Sequence, residues 1–261
     1  MHHPVDSDDL EVALVKAAGY LREAKRVAVL TGAGVSAESG VKTFRDDGGL
    51  WEGHHVEEVA TPQAFERNPS LVWKFYNARR RQLATVQPNP GHYALAELQR
   101  RVGKENFTLV TQNVDGLHHR AGAENVLEVH GSLRRIRCAN IRCDYEEERD
   151  DDLPMLPECE KCDDYLRPGV VWFGEVLPQD VFIAAQIAAK ECDVFLVIGT
   201  SAVVWPVAGL IVLAKDFDAK VIEVNLKETE ASSTVDVGLY GPSGVILPRL
   251  VEMSNSENHS P

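Results

Sequence analysis

The sequence predicts a doubly wound α/β fold, in which helices cover both faces of a parallel sheet, with a smaller lobe beside it. Short runs of apolar, β-branched residues recur along the chain, and helix-like stretches lie between them. The runs are nearly continuously apolar, as expected of parallel strands that are buried on both faces. Two segments, 46–103 and 138–165, interrupt this alternation, and we expect them to pack together as the smaller lobe.

Six runs are predicted to be strands, and each ends in a polar or glycine-containing turn, where ligands of open α/β sheets bind. The segment 46–103 has helical patterns but no convincing strand. The segment 138–165 is short and acidic, and it holds four of the five cysteines. The predicted strands span residues 26–32, 107–113, 126–131, 170–175, 194–200 and 220–225.

The composition describes an acidic globular protein. The 261 residues include 27 Lys and Arg against 40 Asp and Glu, which gives a net charge of −13. A protein that binds the phosphate backbone needs a basic face, so this charge argues against nucleic acid but not against lysine-bearing proteins. Nothing at the N-terminus resembles a signal peptide, so we expect a cytoplasmic protein. Residues 254–261 are expected to form a frayed tail.

One uncharged stretch, residues 194–214, is long enough to span a membrane. A polar turn at 199–201 and Pro206 interrupt it, and no basic cluster flanks it. These features favour a buried strand, a turn and a buried helix. We therefore expect no membrane partner.

Four cysteines have the spacing of a zinc ribbon. Four residues separate Cys138 from Cys143. After fifteen more residues comes a second pair, Cys159 and Cys162, with two residues between them. Four thiolates close the tetrahedral shell of Zn²⁺, so we expect one structural zinc rather than a catalytic one. Two disulfides or four unligated thiols are the alternatives, and Cys192 is expected to be a small core residue.

A glycine-rich turn follows the first predicted strand. Its G-x-G-x-x-A pattern lets the backbone approach a pyrophosphate, which the amides at the start of the next helix would also bind. A plain tight turn is the alternative. The turn comprises Gly32, Ala33, Gly34, Val35, Ser36 and Ala37.

The ribose-binding acid of an ordinary dehydrogenase is missing. That residue is expected at the end of the next strand, about 20 residues further on. Here Glu52 lies in a segment without a predicted strand. This departure argues against hydride transfer and indicates that the nucleotide is held in a different way.

Other strand ends supply amide and hydroxyl groups to the same edge of the sheet. Such groups suit ribose hydroxyls and carboxamides, although helix capping explains each one equally well when taken singly. Their convergence on one edge favours a binding site. They are Gln112, Asn113 and Asp115 after one strand, Gly199, Thr200 and Ser201 after another, and Asn225 after a third.

Several motifs together resemble the sirtuins, in order and in spacing. They are GAGVSAESGVKTFR (32–45), TQNVDGLHHRAG (111–122), HGSL (130–133), the four cysteines, LRPGVVWFGE (166–175), GTS (199–201) and VN (224–225). The resemblance extends from about residue 20 to residue 250. It implies an NAD-dependent protein-lysine deacylase, with NAD as co-substrate and acylated lysine side chains of proteins as partners.

The resemblance also implies a domain organisation. A Rossmann-like, NAD-binding domain would comprise residues 1–45, 104–137 and 166–253. A helical insertion at 46–103 would form the acyl pocket, and a zinc-binding module would occupy 138–165. We expect the protein to be a monomer.

Roles for individual residues follow from the same resemblance. The pyrophosphate would be lined by Gly32, Ala33, Gly34, Ser36 and Ala37, with Phe44 and Arg45 in a cofactor loop that ends near Trp51. The nicotinamide and its ribose would be surrounded by Gln112, Asn113, Val114 and Asp115. The adenosine half would be held by Gly199, Thr200, Ser201, Asn225, Leu226, Lys227 and Ser243. The acyl-lysine peptide would add as a strand flanked by Val171, Trp172 and Phe173.

His130 is implied to be the general base. Cleavage of nicotinamide from its ribose builds an oxocarbenium-like centre that an amide oxygen can capture. A base must then take a proton from a ribose hydroxyl, and histidine suits this task near neutral pH. A capping or core histidine is the alternative, and His118 and His119 are weaker candidates for the base.

Tyr76 and Arg79 indicate which acyl group is removed. Their i, i+3 spacing places both on one helix face, where a phenol beside a guanidinium can bind a carboxylate. The pair resembles that of the sirtuin subgroup that removes succinyl, malonyl and glutaryl groups, and Ala60 fits a roomy pocket. The alternative is a surface arginine beside a tyrosine that packs on its own helix.

Three other functions remain open. The protein could be mainly a deacetylase, with acetyl-lysine as its preferred substrate. Mono-ADP-ribosyl transfer to protein uses the same cofactor chemistry. A non-catalytic scaffold that senses NAD is the third, and the presence of His130, Asn113 and Asp115 argues against it.

Overall fold

The computed structural model describes residues 7–41, 50–51, 54–151 and 153–255. Its strands, in chain order, are β1 (Val27–Thr31), β2 (Leu50–Trp51), β3 (His54–His55), β4 (Phe107–Thr111), β5 (Val126–Glu128), β6 (Gly131–Cys138), β7 (Glu146–Glu148), β8 (Leu166–Val170), β9 (Val194–Ile198), β10 (Lys220–Asn225) and β11 (Val237–Tyr240). Its α-helices are α1 (Ser7–Glu23), α2 (Gly34–Ala37), α3 (Pro62–Arg67), α4 (Pro69–Thr85), α5 (Pro90–Val102), α6 (Leu117–Arg120), α7 (Gln179–Glu191), α8 (Gly209–Asp216) and α9 (Ser243–Asn255).

Six strands form one parallel sheet in the order β11-β10-β9-β1-β4-β5. All five residues of β1, and all five of β9, are buried. Successive residues of β1 pack on opposite sides, because Val29 joins a core with α1, α5 and α9, whereas Leu30 joins a core with α7 and α8. The predicted doubly wound α/β fold is confirmed.

The smaller lobe joins the four-cysteine segment to two helices. Its sheet is antiparallel, in the order β7-β6-β8, and α4 packs against β6 and β8. The core of the lobe includes the fully buried Trp73 and Phe75 of α4 and Ile136 of β6. The indole Nε1 of Trp73 donates a hydrogen bond of 2.9 Å to the carbonyl oxygen of Leu166.

Capping residues start the helices of the segment 61–103. The side chains of Thr61 and Asn68 accept backbone N–H groups at the starts of α3 and α4, and a proline follows each cap. Asn89 caps α5 in a capping box with His92. Helix α5 ends at Val102, and Gly103 caps it with a φ of 89°, which glycine adopts without strain.

The structure divides the predicted helical insertion. Helices α3 and α4 belong to the smaller lobe, but α5 packs on α9 in the helical layer of the main sheet. Its apolar face, including Leu95 and Leu98, is fully buried there. The insertion predicted over 46–103 therefore extends too far, because an amphipathic pattern does not indicate which sheet a helix covers.

Three further expectations are corrected. The run 170–175 is not a strand of the main sheet; Leu166–Val170 instead pairs with β6, and the amide of Phe173 bonds to the carbonyl oxygen of Ala60. The edge strand β11 was missed because its run is short and contains Gly238. Helix α9 continues through Ser254, which is buried, so the tail begins later than predicted.

The uncharged stretch 194–214 folds as strand β9, a turn and most of helix α8, as predicted. Among the residues that the structure describes, no helix combines the length and the apolar composition needed to cross a bilayer.

Candidate active site

The polar residues predicted at the strand ends meet at one edge of the main sheet. The side-chain amide of Gln112 donates to the hydroxyl of Thr200 at 3.0 Å. The amide of Asn225 donates to the carbonyl oxygen of Thr200 at 2.7 Å. The ends of β4, β9 and β10 are therefore tied together, although each of these residues comes from a different part of the chain.

Glycines bring two strand ends into backbone contact. A Cβ atom on Gly34 would lie 2.8 Å from the Cα atom of Gly199, and one on Gly199 would lie 2.3 Å from the amide nitrogen of Val35. Gly199 also has a φ of 58°. The turn after β1 and the turn after β9 approach this closely only because Gly34 and Gly199 have no side chains.

A buried hydrogen-bond network lies behind this edge. The Ser36 hydroxyl donates to the Asp115 carboxylate at 2.7 Å and accepts from the Asn113 side-chain amide at 3.2 Å. Burial raises the pKa of Asp115, while the Leu117 amide and the Ser36 hydroxyl oppose that rise. The network holds the side chains of Asn113 and Asp115 in fixed orientations at the end of β4.

His92 belongs to this network, although it was not among the predicted site residues. Its Nδ1 accepts from the backbone amide of Asn89, and its Nε2 lies 3.3 Å from the Ser36 hydroxyl. Burial lowers the pKa of His92 to about 4, so the ring is neutral at pH 7. With Nδ1 accepting, Nε2 carries the proton that reaches Ser36. The N-P-G-H sequence at 89–92, which starts α5 with a capping box, is the local signal from which His92 could have been found.

His130 lies between β5 and β6, at the same edge of the sheet. Its Nδ1 is 3.0 Å from the carbonyl oxygen of Gln112, which can only accept, so Nδ1 carries the proton and Nε2 keeps a lone pair. Burial lowers the pKa of His130, and the bond to Gln112 opposes this effect. The arrangement presents a neutral imidazole that can accept a proton.

The two weaker candidates for the base, His118 and His119, are placed differently. His118 is buried in the core, with its Nε2 3.0 Å from the Thr31 hydroxyl, and burial lowers its pKa well below the usual range. His119 is partly exposed, and its Nε2 lies 3.7 Å from the Glu128 carboxylate. Neither shares the backbone contact that orients His130.

Tyr76 and Arg79 lie on one face of α4. Tyr76 is buried, and its hydroxyl accepts a hydrogen bond of 3.0 Å from the indole Nε1 of Trp172. Burial raises the pKa of Tyr76, so the phenol stays protonated. Burial also lowers the pKa of Arg79, whereas the nearby Tyr76 and Asp115 oppose this change. Arg79 is therefore close enough to Asp115 to interact with it electrostatically.

The next two arginines of α4 have different surroundings. Arg80 is buried, and its guanidinium donates to the backbone carbonyl oxygens of Leu133, Arg149 and Asp151. Arg81 is exposed. Arg80 thus holds the smaller lobe together, whereas the half-buried Arg79 lies near Tyr76 and Asp115.

The segment 171–173 connects the two lobes. The amide of Val171 donates to the carbonyl oxygen of His130 at 2.9 Å. Trp172 is buried against the ring of Phe65, whereas the Phe173 side chain is 54% exposed. An ion pair between the buried Arg167 and the half-buried Glu175 holds this segment, with a shortest distance of 2.6 Å; neither residue was among the predicted site residues.

Other predicted cofactor residues lie at the start of α9, beyond the end of β10 and in β2. Ser243 is buried at the start of α9 and bonds to the Glu38 carboxylate at 3.2 Å, whereas Leu226 and Lys227 are exposed beyond β10. The backbone of Trp51 lies in β2. Phe44 and Arg45 lie outside the described residues.

The four predicted zinc ligands converge. The Sγ atoms of Cys138, Cys143, Cys159 and Cys162 all lie within 4.8 Å of one another. Two pairs are separated by 3.4 and 3.7 Å, which excludes disulfides at about 2.05 Å and is near the roughly 3.8 Å expected around a tetrahedral zinc. The cluster therefore fits one structural zinc, with no position left for water.

Removal of the zinc is expected to destabilise the smaller lobe. A loss of even about 4 kcal/mol would lower the Tm by roughly 8–16 °C in a chain of this size. Calorimetry with and without a strong chelator measures this shift. The control Cys192→Ser leaves the cluster intact and should keep one zinc per chain; an unchanged Tm after complete metal removal would contradict the expectation.

The sequence is similar to a known protein family and to individual proteins over most of its length. A profile of the Sir2 family matches residues 32–206. An NAD-dependent protein deacylase of Archaeoglobus fulgidus is 47% identical over 231 residues, which are 88% of this chain and 94% of that protein. The mitochondrial NAD-dependent protein deacylase sirtuin-5 of Danio rerio is 39% identical over 262 residues, covering 91% and 86% of the two chains.

The fold also matches solved structures. The crystal structure of a Sir2 homologue in complex with NAD superposes with a TM-score of 0.87 and 43% identity. The match covers 97% of this chain and 96% of that one. Because the family profile covers most of the chain and relatives of 43–47% identity match it over nearly their whole length, the chain belongs to the Sir2 family of NAD-dependent protein deacylases.

Proposed function

We propose that this NAD-dependent protein deacylase removes acyl groups that end in a carboxylate, such as succinyl and malonyl, from protein lysines. Acetyl groups would be removed more weakly, and the products would be nicotinamide and O-acyl-ADP-ribose. The observation that carries the proposal is the pairing of a buried Tyr76 with Arg79 on one face of α4, within electrostatic reach of Asp115.

Arg79 supplies the charge in this proposal. A guanidinium stays protonated in proteins, so the half-buried Arg79 places a positive charge where it is only partly hydrated. Such a charge favours an anionic ligand, and the planar fork can hold a carboxylate through two parallel bonds. An acetyl group offers no such partner, which is the physical basis of the proposed preference.

Tyr76 supplies a hydrogen-bond donor. Its oxygen already accepts from Trp172, and its raised pKa keeps the proton on the phenol. That proton is therefore directed to an acceptor other than Trp172. A distal carboxylate beside Arg79 would receive one bond from the phenol and others from the guanidinium.

His130 is proposed as the base that completes acyl transfer. When bound, NAD supplies a glycosidic carbon that becomes electrophilic as nicotinamide leaves. Asn113 and Asp115, held by Ser36, would orient the reacting sugar, and the acyl oxygen would be held against the same carbon. The free Nε2 of His130 would accept the proton of a ribose hydroxyl, which can then attack the acyl carbon.

The cofactor residues predicted from the sequence form the rest of the proposed site. The turns at Gly32–Gly34 and Gly199 expose backbone beside the polar groups of Gln112, Thr200 and Asn225. The four cysteines would hold zinc away from the reacting atoms, with a purely structural role.

The direct test compares matched acetyl- and succinyl-lysine peptides with NAD, with nicotinamide and the nucleotide product followed by mass spectrometry. We expect kcat/KM to be at least about tenfold higher for the succinyl peptide. Equal or better turnover of the acetyl peptide would identify the protein as mainly a deacetylase. ADP-ribose attached to protein, without O-acyl-ADP-ribose, would instead indicate ADP-ribosyl transfer.

A further inference from the structure

A groove of about 710 Å³ opens at the edge of the main sheet opposite the proposed active site. It lies where β1 and β4 begin, whereas the cofactor residues lie where these strands end. Helices α1, α5 and α9 all end beside it. Its lining consists of Leu21, Arg22, Ala24, Lys25, Arg26, Arg101, Val102, Asn106, Ser254 and Asn255.

The groove is basic on a chain that is strongly acidic. Four lining residues carry a positive charge and none is acidic, although the whole chain has a net charge of −13. Arg26 pairs with Glu191 at 2.9 Å. Among the described residues, no carboxylate forms an ion pair with Arg22, Lys25 or Arg101.

Arg101 has an unsatisfied donor in this groove. Its Nη1 donates to the Ser254 hydroxyl at 2.6 Å, but its Nη2 is buried and has no acceptor among the described residues. Burial lowers the pKa of Arg101, and the nearby positive charge of Arg22 lowers it further, while Glu97 opposes both effects. A buried N–H without an acceptor and two like charges in proximity are both unfavourable.

Helix capping explains part of this arrangement. Arg22 donates to the carbonyl oxygen of Met253 at 3.0 Å, near the end of α9, where positive charges are favourable. Capping accounts for Arg22, and the side chains of Ser254 and Asn255 supply acceptors for Nη1 of Arg101. These contacts account neither for the buried Nη2 nor for the exposed amine of Lys25 on the same groove.

We propose that the groove binds a small multivalent anion with phosphate groups, at a site separate from the cofactor edge. Phosphate oxygens would give Nη2 of Arg101 its acceptor and would offset the repulsion between Arg101 and Arg22. Guanidinium forks beside a lysine amine suit phosphate, and the volume accommodates several linked phosphates. Free oligophosphate and the phosphate chain of a nucleotide share this chemistry.

The test uses inorganic tripolyphosphate as the probe, titrated calorimetrically into protein that already holds one equivalent of ADP-ribose. We expect one site per chain, with Lys25→Gln and Arg22→Gln each weakening affinity by about five- to tenfold. The matched control Lys190→Gln, an exposed lysine on α7, should bind like the wild type. A parallel titration with ATP distinguishes two sources of the phosphates. An affinity for ATP equal to that for tripolyphosphate would mean that only the phosphates are recognised, and a higher affinity for ATP would mean that the nucleoside adds contacts.

A second measurement does not depend on the folding of variants. At a tripolyphosphate concentration of about ten times Kd, labelling of the Lys25 amine by an acetylating reagent should fall by about tenfold, while that of Lys190 is unchanged. Absence of binding, binding that ADP-ribose abolishes, or equal protection of both lysines would overturn the proposal.

Discussion

Replacing Arg79 with methionine is expected to abolish most desuccinylation and to leave deacetylation nearly unchanged. Methionine keeps much of the length and apolar volume of the side chain but removes the fork that would bind the carboxylate. Hydrogen bonds to charged groups contribute about 1.5–3 kcal/mol each, so loss of two predicts a fall in kcat/KM of roughly 10²- to 10⁴-fold for the succinyl peptide. The acetyl peptide should change by no more than about threefold, as for a surface substitution.

The same helix offers a matched control. Arg81→Met removes an exposed guanidinium two residues away and should leave both activities intact. Arg80→Met is unsuitable, because Arg80 bonds to three backbone carbonyl oxygens of the smaller lobe. If Arg79→Met lowered both activities equally, Arg79 would be part of the general architecture and the proposed acyl preference would be wrong.

Replacing His130 with alanine is expected to block acyl transfer at its second stage. A positioned general base contributes about 10²- to 10⁴-fold, and the deacylation rate should fall by that factor. Nicotinamide departs before the base acts, so exchange of labelled nicotinamide into NAD should persist in the variant. Because burial lowers the pKa of His130, wild-type kcat/KM should decline with falling pH only below the usual histidine range near 6.5.

His119→Ala provides the comparison for this experiment. His119 is partly exposed and contacts Glu128 instead of the Gln112 carbonyl group that orients His130. Its replacement should preserve deacylation. A His130→Ala enzyme that deacylates at the wild-type rate would remove His130 from the proposed mechanism, whereas parallel loss of exchange and deacylation would place it in cofactor binding.

Much of the fold could be predicted because the relevant signals are local. The apolar runs of β1 and β9 read as buried strands, and the glycines that follow them mark turns. The spacing of the cysteines limits them to a few arrangements, of which the structure has the zinc-like one. His130 lies two residues beyond the end of β5, so the strand predicted to begin at residue 126 also located it at the edge of the sheet.

The rest depends on contacts between distant segments. Periodicity cannot distinguish Arg79 from Arg80, because both lie one turn of the helix after Tyr76. Only the packing of α4 on β6 and on the acidic loop determines that Arg80 is the one that donates to backbone carbonyl oxygens. The run 170–175 has strand-like composition, yet its backbone bonds to His130 and Ala60 rather than to the main sheet. The sequence contains no local sign of either partner.

Strand β6 joins the two chemical centres of the molecule. It begins at Gly131, directly after the proposed catalytic imidazole, and ends at Cys138, one of the four clustered thiols. The seven residue-to-residue steps of this extended strand place its ends roughly 23 Å apart. A zinc ion in this cluster would anchor the strand that begins beside the proposed base, so we expect oxidation of these thiols to lower turnover.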